Sequence, residues 1–389
     1  MCNVPRYRHF PGAGSCHRYG HMQPALFIAA EIYRGSNYGA RHPLSIERVP
    51  AAMDLTRALG HLPRALFRTS PRARPAALTG FHTPDYIAAL QAAEDAGTVS
   101  EETRKRHGLG TLSNPVFPEM FRRPATAVGG GLLAAELVMS GQVHAVHNIG
   151  GGTHHALADG ASGFCFLNEP VLTIQHLLRL GARRVAYVDI DAHHGDGVEI
   201  AFHGSERVRV ISVHEDRRWP FTGALEDTGG GAAFNLPVPR GFNDSEFALA
   251  LEEVILPAVE GFAPDAVFLQ CGSDALTEDP LSRLALSNNS HIRAVSALRA
   301  LAPRLIVSGG GGYNPWSVAR CWAAVWATLS GQALPERLPE AARAHMASLG
   351  WSRKGRPEPV LLETVRDAPR EGPVRDELRA AVAVLRERL

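Results

Sequence analysis

Lysine is almost absent from this chain: Lys105 and Lys354 are the only two among 40 basic side chains. A coding bias in which arginine and alanine replace lysine explains that shortage more simply than a role in phosphate or carboxylate recognition. Cysteine is scarce as well. Cys2, Cys16, Cys165, Cys271 and Cys321 are scattered through 389 residues with no Cys-x-x-Cys pair. That argues against a disulfide framework and fits a reducing compartment. Excess charge is also missing. The formal net charge is +1, so nothing in the balance points to nucleic acid or a membrane surface. No stretch approaches 18 uninterrupted apolar residues, and "ALFIAA" is too short to span a bilayer. The opening "MCNVPRYRHFPGAGSCHRYGHMQ" has no continuous apolar core, which argues against a secretory signal. The expectation is a soluble cytoplasmic protein.

What is present is ordinary globular material, 45% hydrophobic and 20% charged, long enough for one large α/β domain or two smaller ones. Short apolar runs rich in β-branched residues recur: 25–33, 144–149, 183–190, 208–214, 265–272 and 304–311. The later ones are apolar on both faces, as expected of a parallel sheet covered on each side. Helix-like patterns at 48–59, 84–96, 125–140, 169–180, 245–260, 289–301 and 315–330 separate them. Strand and helix in alternation predict an α/β fold with a central, mostly parallel β-sheet and helices on both faces. We expect an N-terminal extension over 1–24, the main domain over 25–330, and a C-terminal extension over 331–389. That extension is rich in Pro, Arg and Glu and closes on "VRDELRAAVAVLRERL". There Leu378, Val382, Leu385 and Leu389 fall near helical spacing, which predicts a terminal helix packed on the domain.

The polar residues after these strands carry the functional signal. Asp189, Asp191 and His193 follow one apolar run and His154-His155 another. Asp274 follows "DAVFLQCGS", and Tyr313 follows four glycines, Gly309 to Gly312. Ligands of open α/β sheets bind outside the carboxyl ends of the strands, so four strand ends would deliver polar groups to one edge. In "VDIDAHHGDG" the i, i+2, i+4 spacing of Asp189, Asp191 and His193 would put all three on one face of an extended chain. With Asp274 as third ligand, Asp191 and His193 make an open N/O site of the catalytic zinc type, although two carboxylates and one imidazole suit Fe(II) too. A salt-bridged strand end is the plainer reading of the motif in isolation. His154 and His155 are candidate proton carriers, and the unassigned acids Asp189 and Asp196 could orient two rings. The Tyr313 phenol could donate to a developing oxyanion.

Taken together, "GGGTHHALADGASGFCFLNEP" (150–170), "VDIDAHHGDGVEIAF" (188–202), "ISVHE" (211–215), "CGSDALTEDPL" (271–281) and "SGGGGYNP" (308–315) resemble the histone deacetylase family, within the arginase/deacetylase fold. "HPLSIERV" (42–49) and "FHTPDYI" (81–87) fit more loosely. The resemblance implies zinc on Asp191, His193 and Asp274. It implies His155 as general base and acid, oriented by Asp196, and His154 as an electrostatic partner paired with Asp189. Tyr313 would polarise the amide carbonyl and the Gly163 carbonyl would accept the substrate N–H. Phe164 and Trp219 would wall an acyl-lysine tunnel with Leu281 at its rim. A potassium ion is implied at Asp189, the carbonyls of Asp191 and His193, and Ser212, and a second at the carbonyls of Phe202, Ser205 and Val208. The substrate would be an acylated lysine peptide or a small acylated amine.

Two departures stand out. Trp219 replaces a smaller aromatic. In "GTLSNPVF" (110–117), Leu112 and Ser113 stand where eukaryotic members often carry an acid that clamps a peptide backbone, which gives weight to a small amine of the acetylpolyamine type. His194 has no assigned chemistry and is expected to be structural. Two rival readings are a dimanganese, arginase-like ureohydrolase and a catalytically silent acyl-amine sensor. Homo-oligomerisation is left open.

Overall fold

A computed structural model describes residues 25–351 and 357–389. The extension expected over 1–24, with Cys2 and Cys16, lies outside the described residues. Eight strands form one sheet: β1 (Leu26–Ala29), β2 (Phe67–Thr69), β3 (Ala145–Asn148), β4 (Val185–Asp189), β5 (Val208–Glu215), β6 (Ala233–Val238), β7 (Ala266–Gln270) and β8 (Leu305–Ser308). Their order is β2-β1-β3-β8-β7-β4-β5-β6, and every neighbouring pair is parallel.

Alternation along the strands divides the core in two. Phe27, Ala186, Val188, Val267, Leu269, Leu305 and Val307 face one side. Leu26, Ile28, Val185, Tyr187, Phe268 and Ile306 face the other. All are buried, so both faces are covered, as a parallel sheet requires.

The helices are α1 (Arg48–Ala58), α2 (Pro75–Leu78), α3 (Pro84–Ala96), α4 (Glu101–His107), α5 (Arg122–Met139), α6 (Glu169–Arg179), α7 (Asp196–Ala201), α8 (Asp244–Ala250), α9 (Leu256–Phe262), α10 (Asn288–Leu301), α11 (Pro315–Ser330), α12 (Glu340–Ser348), α13 (Pro359–Glu363) and α14 (Asp376–Arg386). Helices α1, α8, α9, α10, α11 and α14 cover the first face, and α5, α6 and α7 the second. A third apolar cluster, from α3, the 117–121 turn and the 161–167 loop, reaches Tyr313. None of the helices among the described residues is long and apolar enough to cross a membrane.

Several sequence expectations need correction. The run at 25–33 is a strand only over Leu26–Ala29; Glu31–Tyr33 is a 3-10 turn. Strands β2 and β6 fall outside the apolar runs picked out by pattern. They are the two edge strands, one only three residues long and partly exposed, the other containing Pro237. The helix expected over 245–260 is α8, a π-turn at Leu251–Ile255, and α9. The wide turn ends two residues before Pro257, which has no N–H to offer the preceding turn. In α14, Leu378, Val382 and Leu385 pack on the first face, whereas Leu389 lies past the helix end and is 45% exposed.

Candidate active site

The four central strands, β3, β8, β7 and β4, end side by side, and the loops leaving them carry the polar residues singled out above. Strand β4 ends at Asp189, and the chain bends over 191–193. The extended-strand argument for one shared face therefore fails locally. Asp191 and His193 converge, while Asp189 serves a different partner.

The ligand atoms of Asp191, His193 and Asp274 lie within 4.8 Å of one another, and all three residues are buried. His193 Nδ1 is 2.9 Å from Asp274 Oδ2 and 3.3 Å from Asp191 Oδ1. Backbone donors hold the acids in place: Gly311 N–H donates to Asp191 Oδ2 at 2.6 Å, and Ala192 N–H to Asp274 Oδ1 at 2.9 Å. A Cβ at Gly311 would stand 2.0 Å from Asp274 Oδ2, so only glycine admits this approach.

The electrostatics suit a cation. Burial and the neighbouring Asp191 push the Asp274 carboxyl up. Burial works against ionised Asp191 too, but His154, His193 and the Gly311 N–H outweigh it and hold that carboxyl low. Burial opposes the charge on His193, and the two acids still raise it to about 10. Two carboxylates crowded in a dry site, with one imidazole turned at both, would be relieved by a divalent ion.

Beside the cluster lie the paired histidines, their ring centroids 3.9 Å apart. His154 Nδ1 donates to Asp189 Oδ2 at 2.8 Å, and His155 Nδ1 to Asp196 Oδ1 at 2.7 Å. Asp189 also accepts from the Tyr187 hydroxyl and the Asp191 N–H. Burial disfavours a proton on both rings, but the outcomes differ. Asp189 and Asp191 lift His154 to about 9. Burial and the neighbouring His154 push His155 down to about 3 despite Asp196. One ring is a fixed cation and the other a neutral base at neutral pH, the separation of environments that assigns roles to paired titratable groups.

The expected tunnel residues lie around them. Gly163 has φ +52°, and a Cβ there would stand 2.3 Å from the Trp219 ring and 2.7 Å from His155 Cδ2. Trp219 meets the His155 ring edge-on at 4.6 Å, and Phe164 meets Tyr313 edge-on at 5.9 Å. Leu281 packs in the same apolar cluster as Phe164 and Tyr313, and its carbonyl accepts from the Arg218 guanidinium. Tyr313 is buried, and burial together with Asp274 keeps its phenol protonated. A cavity of about 60 Å³ runs from His155 and Tyr313 to Arg48 and Arg123.

Ser212 lies opposite Asp189 in the β4–β5 register and bonds His214. Val208 opens β5. The Phe202 carbonyl accepts from Ser205 N–H. His194 is buried between Thr222 Oγ1 and Glu199 Oε2 at 2.8 and 3.1 Å.

Four supporting residues escape a reading of the sequence. Arg48 donates to the Gly310 carbonyl at 2.6 Å and lies over the Tyr313 ring. Gln270 Nε2 donates to the Gly152 carbonyl at 2.8 Å, and Glu169 Oε2 accepts from Gly152 N–H at 2.9 Å, so the loop before His154 is held from both sides. Asp279 accepts from the Tyr313 N–H at 2.6 Å. Arg48, Asp279 and Glu169 fall inside the quoted family blocks, which is the one signal that could have found them.

Comparison with known proteins agrees with this geometry. The model of the histone deacetylase domain matches residues 42–329. The acetoin utilization protein AcuC of Bacillus subtilis is 35% identical over 322 residues, 80% of this chain and 83% of that protein. Human histone deacetylase 1 is 34% identical over 308 residues, 78% of this chain and 64% of that longer protein. The crystal structure of an HDAC homologue from Aquifex aeolicus superposes with a TM-score of 0.88 at 35% identity, covering 93% of this chain and all of that one. An HDAC homologue complexed with SAHA superposes equally well. The sheet, its two helical layers and the domain match together show the arginase/deacetylase fold, and this chain belongs to the histone deacetylase family.

Proposed function

We propose that the chain is a zinc-dependent amidohydrolase that removes acetyl or other acyl groups from lysine side chains or from small acylated amines. The observation that carries this reading is the convergence, in one buried site, of the Asp191–His193–Asp274 cluster with a neutral His155 held by Asp196.

Zinc on Asp191, His193 and Asp274 would supply Lewis acidity, which polarises an acyl carbonyl and makes water acidic enough to react near neutral pH. The donor set accepts Fe(II) on the same chemistry. The chain's own groups do the rest. Phe164 and Trp219 flank the aliphatic stem of the substrate, Leu281 borders the mouth, and the Gly163 carbonyl accepts the amide N–H. His155 Nε2 takes the proton of the attacking water, its Nδ1–H fixed on Asp196. The Tyr313 hydroxyl donates to the carbonyl oxygen as negative charge develops. His155 then delivers the proton to the amine nitrogen as the C–N bond breaks. His154, charged and held by Asp189, stabilises the anionic stage electrostatically. Potassium at Asp189, Ser212 and the Asp191 and His193 carbonyls belongs to this reading.

Among the described residues one metal-ligating cluster is found, and the histidine pair fills the ground beside it, which favours a mononuclear hydrolase over a dimanganese ureohydrolase. The test is turnover of a fluorogenic acetyl-lysine amide by the purified chain, with elemental analysis. We expect one zinc or iron per chain, loss of activity with a chelator, and recovery on metal return. Two manganese ions per chain, or bound metal without turnover, would overturn the proposal.

A further inference from the structure

Trp219 stands in a loop with a strained backbone. Among the described residues four non-glycine residues have φ in the left-handed region, and two of them, Arg217 at +52° and Phe221 at +65°, bracket Trp219. Such conformations persist only where the surroundings over-determine them. The loop's own side chains face outward: Phe221 is 74% exposed and Trp219 39%. The restraint comes from beneath. Arg218 fastens the near end, its Nε donating to the Leu281 carbonyl at 2.8 Å. Two buried histidines fasten the far end. His194 Nδ1 lies 2.8 Å from Thr222 Oγ1, and His214 Nε2 donates to the Gly223 carbonyl at 2.9 Å.

Both histidines are themselves fixed. Glu199 Oε2 accepts from His194 Nε2 at 3.1 Å and from Asn235 Nδ2 at 2.7 Å. A carboxylate on Nε2 places the ring proton there, so Nδ1 accepts from the Thr222 hydroxyl. Burial pushes His214 down to about 3. Its one ring proton serves Gly223, and its Nδ1 accepts from Ser212 Oγ at 2.9 Å. The two rings rest against each other with centroids 4.7 Å apart. Gly223 closes onto both. Its φ is +77°, and a Cβ there would stand 2.6 Å from His194 Cδ2 and 2.7 Å from His214 Cε1, so only glycine lets the chain come this near. Three residues before Thr222, the Trp219 ring meets His155 edge-on at 4.6 Å and crowds the Gly163 backbone, where a Cβ would come within 2.3 Å of the indole.

We infer that His194 and His214 form a clamp on Thr222 and Gly223 that positions Trp219, and so sets the tunnel wall beside His155. His194 is then a positioning residue that acts through the Thr222 hydroxyl. Release of Thr222 frees Arg217 and Phe221 to return to negative φ, and the indole moves away from His155. The consequence for substrate binding rests on the amidohydrolase reading above; the consequence for the indole does not.

The experiment uses the full-length, metal-loaded chain. Thr222→Val removes the hydroxyl at nearly constant shape, and Thr222→Ser keeps it. Thr222 is exposed, and Thr222→Ala serves should the valine variant fail to fold. The chain has five tryptophans, so acrylamide quenching of Trp219 is read as the difference from the same protein carrying Trp219→Phe. An acetyl-lysine amide gives KM and kcat, and elemental analysis gives the metal. We expect Thr222→Val to keep its metal, to make Trp219 more quenchable, and to raise KM about fivefold to tenfold, the scale of one lost aromatic contact, with the smaller effect on kcat. Thr222→Ser restores both quenching and KM. Wild-type quenching in Thr222→Val, a serine variant that behaves like the valine one, or an indole that moves while KM does not would each overturn the inference. Wild-type chain that binds metal without turning over the amide is the separate signature of failure of the underlying reading, and the quenching series still decides the clamp.

Discussion

Asp279 holds Tyr313 by its backbone: Oδ2 accepts the Tyr313 N–H at 2.6 Å while Oδ1 accepts the Leu281 N–H at 2.9 Å. One buried carboxyl group thus fixes both the proposed oxyanion donor, Tyr313, and the proposed rim residue, Leu281. In Asp279→Asn one oxygen remains and the amide NH2 faces a second donor, so one buried N–H loses its partner at a cost of about 1–3 kcal/mol. We expect metal content to be unchanged and kcat to fall about tenfold, equivalent to roughly 1.4 kcal/mol in the barrier, with KM moving little. Steady-state kinetics with elemental analysis checks this. Wild-type kcat in the folded variant would remove Asp279 from the positioning of Tyr313.

Tyr313→Phe deletes the hydroxyl alone and keeps the ring packed against Phe164. Loss of one oxyanion donor typically lowers the rate about 100-fold to 1,000-fold, so the variant is expected to retain metal and lose most amidase activity. Near wild-type turnover with metal bound would sink the assigned role.

Asp191→Ala and Asp274→Ala act earlier. Each removes a carboxylate from a three-ligand site, and we expect the purified variants to contain little or no metal by elemental analysis. His155→Ala, by contrast, lies outside the ligand set and should keep its metal while losing turnover. Full metal occupancy in either Asp variant would show that the ion is held elsewhere.

The division between what the sequence makes legible and what it hides follows from distance along the chain. Central strands β3, β4, β7 and β8 are short, apolar and buried on both faces, so local pattern suffices to find them and to place Asp191, His193, Asp274 and Tyr313 at one edge. Strands β2 and β6 are legible only as edges, through pairing with β1 and β5. The supports of the site are equally non-local. Arg48 reaches Gly310 across 262 positions and Gln270 reaches Gly152 across 118. Nothing near either residue announces its partner. A count of spare acids and spare rings matches Asp189 and Asp196 to the two histidines, but which acid holds which ring comes only from the family resemblance. The bend after Asp189, which turns Asp191 and His193 away from strand alternation, is not legible.

Glu169 provides a test that reads the fold and not the chemistry. Its carboxyl group is buried at the start of α6 and accepts from Gly152 N–H, Asn148 Nδ2 and Thr173 Oγ1. Burial outweighs these donors and pushes it up to about 7, against about 4.3 in an unfolded chain. The folded state therefore binds this proton more tightly than the unfolded state. Its stabilising contribution is fully present below about pH 4.3 and is lost as the pH rises through about 7, a change of roughly 3–4 kcal/mol. Other groups titrate in the same window: charged His154 loses stability with rising pH and neutral His155 gains it. The informative quantity is thus the difference between wild type and Glu169→Gln. The substituted amide keeps one acceptor oxygen, so a constant offset is expected from the donor it leaves unpaired. Superimposed on it, wild type should weaken relative to the variant between about pH 5 and about pH 8, read from denaturant midpoints with the unfolding slope held common. Parallel stability curves across that range would mean that Glu169 is ionised in the folded protein throughout, and that the Gly152, Asn148 and Thr173 donors fully offset its burial.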